Sequence, residues 1–280
     1  MIRLIFFLLL LFFSACHRLT PRPFDSTAYR SASPEVLHEV SGLLREDVAS
    51  IKALKALARV RISRGVKSEN FRQVIVFRRP DKLRIDFLER SSNALLSLLS
   101  VHDGVMKVVD LSNKVAYIGD PSLENIRELM LLPLSLDEVM LLFCGRFDAE
   151  LHGELVEARL LETQANDGVM LMQYVYASNV QVDVRFSLLE AGDGKKIPRI
   201  FGLDVRDNAI NASIMSAEFI GERGVSDRLA LPKKLQLSMP AEEIVIAVEY
   251  EDLVVNPDIA QSDADLFDVT IPPGMKVSYL

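Results

Sequence analysis

The chain lacks the residue combinations that most defined chemistries require. It has two cysteines in 280 residues, too few for a disulfide scaffold. Its four histidines, His17, His38, His102 and His152, are scattered, and no H-E-x-x-H or C-x-x-C spacing brings two metal ligands together, so no metal site is expected. There is no G-x-S-x-G elbow, and nothing else nominates an acid, a base and a nucleophile as a set. The string Gly192-Asp193-Gly194-Lys195 lacks the first glycine and the Ser/Thr of a P-loop and falls between two strand patterns, which makes it a hairpin turn. Enzymatic activity and a cofactor are therefore not expected. A cationic surplus is missing too: 32 Lys and Arg stand against 39 Asp and Glu, for a formal charge of -7. Affinity for a phosphate backbone needs the opposite balance, so nucleic acid is excluded as a general partner.

What is present begins with an export signal. Arg3 precedes an apolar run from Leu4 to Phe13, followed by Ser14, Ala15 and Cys16. A helix over that run spans roughly 15 Å, about half a hydrocarbon core, and is too short to anchor the chain alone. The string Phe13-Ser14-Ala15-Cys16 resembles a bacterial lipobox, with Phe where Leu is usual. The resemblance implies that residues 1–15 are a lipoprotein signal peptide and that Cys16 is acylated and becomes the N-terminus. An ordinary signal peptide with an incidental cysteine is the alternative. Each buried CH₂ contributes about 0.8 kcal/mol, so the two or three chains of such a lipoprotein anchor it permanently. An Asp after the cysteine would favour inner-membrane retention in the known sorting rule. His17 stands there instead, which implies the outer membrane.

Residues 16–33, with Pro21, Pro23 and several Ser and Thr, read as the lipidated N-terminus and a flexible tether. Residues 34–280 read as a single domain. Ser33-Pro34 is an N-cap with proline at the first helical position, and Val36, Val40, Leu44, Val48, Ile51 and Leu54 follow on one stripe, predicting an amphipathic helix of about twenty residues. From residue 58 the period changes to two, and strands separated by turns at Pro80-Asp81, Asp103-Gly104 and Ser112-Asn113 form a meander. Two short helices interrupt it. Asp120-Pro121 opens one carrying Leu123, Ile126 and Met130; the Ser135–Glu138 capping box opens another that Gly145 ends. Strands then resume, most cleanly over Val180, Val182, Val184, Phe186 and Leu188, and last at Phe267, Val269 and Ile271. The fold class is α+β: a large curved antiparallel sheet or half-open β-barrel of about ten to twelve strands, covered by a long N-terminal helix and two short lid helices.

This order of elements resembles the LolA/LolB family of bacterial lipoprotein-localisation proteins, in its lipid-anchored LolB-like branch. The landmarks are Phe77-Arg78-Arg79-Pro80-Asp81-Lys82-Leu83-Arg84-Ile85, His102-Asp103-Gly104, and Leu132-Pro133-Leu134-Ser135-Leu136 through Cys144-Gly145, roughly a third of the chain. The resemblance implies a half-open antiparallel barrel lidded by helices, with an apolar cavity for the acyl chains of a lipoprotein. Sheltering a C16 chain from water is worth on the order of 12 kcal/mol. Candidate cavity-lining residues are Phe77, Ile85 and Phe87 on strands and Leu123, Ile126, Met130, Val139, Met140 and Phe143 on the lid helices; ordinary core packing is the other reading of each. The family's membrane-inserting loop tip matches residues 88–95, which are mostly polar here, leaving Leu88 and Leu95 as candidate membrane contacts. The region after Gly145 is longer than in the prototype.

The expected function is that of an outer-membrane-anchored, periplasm-facing lipoprotein that binds acyl chains or lipidated proteins and aids their localisation. Expected partners are the outer membrane, lipoprotein cargo and a soluble periplasmic carrier. The second hypothesis is an envelope scaffold or assembly protein with a filled core, and the third a hydrolase, which would need convergent titratable groups. Cys144, in an apolar string, is expected to be a buried free thiol. The cationic run Arg59, Arg61, Arg64, Lys67, Arg72, Arg78, Arg79, Lys82 and Arg84 could meet anionic headgroups or an acidic carrier, or be a solvated sheet face. Asp263, Asp265 and Asp268 read as a solvated turn.

Overall fold

The computed structural model describes residues 29–130, 132–163, 168–226, 229–258 and 262–280. The expected signal peptide, residues 1–15, and Cys16 lie outside the described residues. One sheet organises the rest. Its strands are β1 (Tyr29–Ser31), β2 (Ala53–Arg64), β3 (Lys67–Arg78), β4 (Lys82–Leu88), β5 (Leu95–His102), β6 (Val105–Asp110), β7 (Val115–Gly119), β8 (Leu155–Thr163), β9 (Val169–Tyr176), β10 (Val180–Glu190), β11 (Lys196–Asp207), β12 (Ala212–Ser226), β13 (Leu229–Met239), β14 (Ile244–Val255) and β15 (Lys276–Tyr279). Four α-helices accompany them among the described residues: α1 (Pro34–Ala49), α2 (Leu123–Met130), α3 (Leu136–Phe143) and α4 (Asp263–Phe267).

The sheet is open, with spatial order β1-β8-β9-β10-β11-β12-β13-β14-β2-β3-β4-β5-β6-β7-β15. Two meanders, β2 to β7 and β8 to β14, are joined where β14 pairs antiparallel with β2, Val248 opposite Val60. Among the described residues only β15 pairs parallel, along β7. The fifteen strands exceed the ten to twelve expected. Part of the excess is short edge strands: β1 turns the end of the expected tether into a partner of β8. The final alternation did not become a strand. Phe267 ends α4, while Val269 and Ile271 lie outside any strand, Val269 O accepting from Lys107 Nζ at 3.0 Å.

Alternation along the strands sends one set of side chains inward. On β2 these are Leu54, Ala56, Ala58 and Val60, with Lys55, Arg59 and Arg61 outside. Inward residues from β2 to β6 and from β8 to β14 meet in a single core with α1 and α3. A contiguous core shared by so many strands requires the sheet to curl around it. On β10, Val182, Val184 and Phe186 face in as expected, while on the opposite face Gln181, Arg185 and Ser187 are half-buried and Asp183 is buried, accepting hydrogen bonds from Gln173 and Gln181.

The helices begin where the sequence places them. Ser33 caps α1, and Ser135 and Glu138 complete a reciprocal capping box on α3. Helix α1 is shorter than expected: Ser50 closes it by donating to Asp47 O at 2.6 Å, and Leu54 faces the core from β2 instead. Helix α2 starts at Leu123, with Ser122 accepting from Asn125 N, so Asp120 organises the preceding turn instead of capping the helix. Gly145, at φ +66°, provides the left-handed residue that stops α3.

The C-terminal segment covers the other face of β4 to β7. Phe267 is fully buried, Arg84 donates to Leu266 O at 3.0 Å, and Ser100 donates to Phe267 O. Beyond them Val269 packs with Leu98, Val109 and Ala116 in a second, smaller core that Leu95, Ile271 and Met275 complete. This strap ends as β15, so β5 is buried on both faces.

Candidate functional site

Helices α1 and α3 close over the main core, and three polar latches hold them. Arg79 follows β3 and reaches both helices. Its Nη1 donates to Val48 O at 3.0 Å and Ile51 O at 3.3 Å, satisfying carbonyls at the end of α1. The same guanidinium grips Asp137 in the first turn of α3, with Nη2 to Oδ2 at 2.6 Å and a second contact from Nε. The hydrogen bond that it donates to Asp137 holds the Arg79 guanidinium above its already high ordinary value, so this charge is permanent.

The second latch is the ion pair of Arg146 with Asp47, whose side chains are each 5% exposed. Arg146 also donates to Cys144 O and to Ala230 O on β13, both at 3.0 Å. Burial pushes the Asp47 carboxyl above its ordinary range, and Arg146 offsets only part of that. The third latch ties Glu138 to His152 at 2.5 Å. Burial alone would raise the Glu138 carboxyl, but the hydrogen bond and attraction of His152, with hydrogen bonds from Ser135, outweigh it and hold the carboxyl below its ordinary value. Tyr250 Oη adds a 2.7 Å bond to Phe143 O at the end of α3.

Beneath the latches lies the apolar interior. Of the nine candidate lining residues, Phe77, Ile85, Ile126, Val139, Met140 and Phe143 are buried in the core. Phe87 and Met130 are half-buried against it. Leu123 is 56% exposed and faces solvent, because α2 turns only Ile126 fully inward; the expectation for Leu123 is corrected. Met106, Met172, Met215 and Met239 join Met140 there, all fully buried. A cleft of about 100 Å³ opens at the seam between α1 and β8. Its floor of Leu44, Val48, Phe147 and Tyr174 consists of buried residues, and the Arg45–Glu150 ion pair, at 3.5 Å, stands at its rim. None of the nine candidates lines this cleft.

The remaining candidates fall elsewhere. Leu88 and Leu95 pair with each other at the base of the β4–β5 turn, half-buried, and Leu95 packs in the second core. They do not protrude, since the turn between them is built from Glu89, Ser92 and Asn93, which bond to one another. Cys144 is a buried free thiol, as expected, and burial pushes it up to about 12, which disfavours the thiolate. Asp263 and Asp268 pair with Arg78, Lys82 and Lys107, and no cluster of metal-ligating side chains occurs among the described residues.

The latches were not singled out from the sequence. One signal was available: Asp47 falls three residues after Leu44, on the face of α1 that buries Val40, Leu44 and Val48. A carboxylate on a buried stripe demands an internal cation.

No protein-family model matches the chain, and no curated protein matches it in sequence. Solved structures do match. A DUF1329 family protein from Desulfovibrio piger superposes with a TM-score of 0.55 at 13% identity, over 82% of this chain and 95% of that one. A putative outer membrane lipoprotein-sorting protein domain from Vibrio parahaemolyticus gives 0.56 at 9% identity, over 80% and 94%. The chain shares its fold with both. This fold, a large open antiparallel sheet roofed by helices, is the one that the resemblance to the LolA/LolB family implied. A LolA superfamily protein from Nitrosomonas europaea aligns more loosely, with a TM-score of 0.47 at 9% identity over 81% and 96%.

Two outcomes are expected for the latches. Asp47→Ala leaves Arg146 buried without its counter-charge and should lower unfolding free energy by about 3 to 5 kcal/mol in denaturant titration. Because the Glu138 carboxyl is held below its ordinary value, its contribution to stability is full above about pH 4.3 and is lost as pH falls through the lower folded-state value. Acid unfolding of Glu138→Gln should therefore show a shallower loss of stability below that pH than wild type.

Proposed function

We propose that the protein is an exported, lipid-anchored envelope protein that takes up the acyl chains of lipidated proteins beneath its helical lid and aids their localisation, without covalent chemistry. The observation that carries this reading is the fastening of α1 and α3 over a methionine-rich apolar core by polar latches, with an apolar seam beside α1. Methionine side chains repack at small cost, so such an interior accommodates a flexible chain when the roof lifts. Polar latches suit a roof that must open, because water replaces their hydrogen bonds once they part. The shared fold with a putative outer membrane lipoprotein-sorting domain supports the reading, as do the lipobox-like string ending at Cys16 and the LolB-like landmarks around Arg79-Pro80. With His17 after the cysteine, the anchor belongs in the outer membrane with the domain in the periplasm, where a soluble carrier would deliver cargo.

A second reading is favoured by one observation: six of the nine candidate lining residues are already packed in the core. In that reading the fold is an envelope scaffold that binds a protein partner and has no ligand cavity.

Fluorescence titration of the full chain with a dansyl-labelled C16 fatty acid separates the two. Saturable binding, faster in Asp137→Asn, where the roof is loosened, is the carrier outcome. No binding by either protein sinks the carrier reading and leaves the scaffold. For the anchor, wild type but not Cys16→Ala should incorporate radioactive palmitate; labelling of both would refute the lipobox assignment.

A further inference from the structure

The fold divides the cationic run of residues 59–84 into two groups, apart from Arg64 and Lys67, which pair with each other at the end of the β2–β3 hairpin. Arg79 is held by Asp137, Arg78 and Lys82 by Asp263, and Arg84 by Asp86 and Leu266 O. Arg59, Arg61 and Arg72 instead stand on the outer face of the sheet, opposite the core. Register aligns Lys234, Glu249, Arg59 and Arg72 across β13, β14, β2 and β3, and Ala247, Arg61 and Asn70 in the next outward row. Arg90 joins them from the β4–β5 turn. Together they form a cleft of about 280 Å³ whose polar lining is Arg59, Arg61, Asn70, Arg90, Lys234 and Glu249, with Val60, Phe71 and Ala247 between them.

The charges in this cleft do not balance. Arg59 pairs with Glu249 at 3.1 Å and Glu251 at 3.4 Å, and Arg72 pairs with Glu251 at 2.6 Å. Arg61 spends only its Nε, on the neutral Asn70 Oδ1 at 3.0 Å. Arg61, Arg90 and Lys234 have no carboxylate partner among the described residues. Four cations therefore face one lining carboxylate on a protein whose formal charge is -7. Mutual repulsion of gathered cations costs free energy that a bound anion relieves.

We propose that this cleft binds a phosphorylated ligand. A phosphate group offers three oxygens and up to two charges, matching the free edge of the Arg61 guanidinium with Arg90 and Lys234 at the rim. The site is concave and its volume suits a phosphate with the group that bears it. An acidic protein would instead need a face of about 800 Å² per partner. Asn70 holds Arg61 in place, so little side-chain freedom remains to be lost on binding. The cleft lies on the face opposite the helical roof and does not depend on acyl binding.

Calorimetric titration of the full chain at low salt tests the assignment, with inorganic phosphate and, separately, dihexanoyl phosphatidylglycerol below its micelle concentration. Saturable binding is expected. Arg61→Ala and Lys234→Ala should each weaken it roughly tenfold, the loss of one charge-assisted hydrogen bond. Glu249→Gln should tighten it by removing the carboxylate that competes for Arg59. These side chains pack into no core, so melting temperatures serve as the folding control, and Arg90→Ala is the substitute for any variant that melts early. Tighter binding of the lipid than of phosphate assigns the ligand to a membrane headgroup; equal binding assigns it to a soluble phosphate compound. The proposal is overturned by no saturable binding of either probe, by binding that the alanine variants leave unchanged, or by tighter binding of an acidic hexapeptide.

Discussion

Two helices end inside the hollow of the sheet, and their last carbonyls need donors where water does not reach. That constraint organises the site. A helix leaves its terminal C=O groups without internal partners, and burying them unpaired costs about as much as the hydrogen bonds forgone. Here Arg79 supplies Val48 and Ile51, Tyr250 supplies Phe143, and Arg146 supplies Cys144. Each arginine brings a charge into the protein, and each charge requires a carboxylate. Asp137 and Asp47 fill that need from the helices themselves. The roof is thus joined to β3 and β13 through side chains that answer backbone demands first.

For the proposed carrier, this arrangement would give a closed state that is stable without being permanent. A roof held only by apolar contact would have to expose that surface in full on opening. Ion pairs gain hydration when they separate, so part of the opening cost is returned. The Arg45–Glu150 pair at the α1–β8 seam is exposed and therefore contributes little to closure. Opening from that edge breaks the weakest polar contact first and meets Phe147 and Tyr174 immediately beneath.

Local signals in the sequence read true wherever a single residue type does one physical job. Ser33 and Ser135 cap helices, Asp103-Gly104 forms the two-residue hairpin with both residues at positive φ, and Gly194 closes the turn after β10. Periodicity also gave facing correctly at Phe267 and Val269, which bury their side chains; it could not say whether the backbone there would find a strand to pair with. Strand β8 falls where strands were expected to resume after Gly145, with Val156, Ala158 and Leu160 alternating with Glu157 and Arg159. The latches were illegible for a different reason: Arg79 and Asp137 are 58 positions apart, Asp47 and Arg146 are 99, and only tertiary packing unites them. The same holds for the outer cleft, where Lys234 and Arg61 come from opposite ends of the chain.

The joint between β14 and β2 pairs residues about 190 positions apart. Each meander closes through neighbouring hairpins and needs no distant partner, whereas this seam waits for residue 255 to exist and then for two preassembled halves to find one register. High contact order of this kind slows folding and leaves two long strand edges open in the interval. Until β14 arrives, one edge of β2 stays unsatisfied while the rest of the sheet is being made, and any strand of another chain that reaches it first can take the place meant for β14.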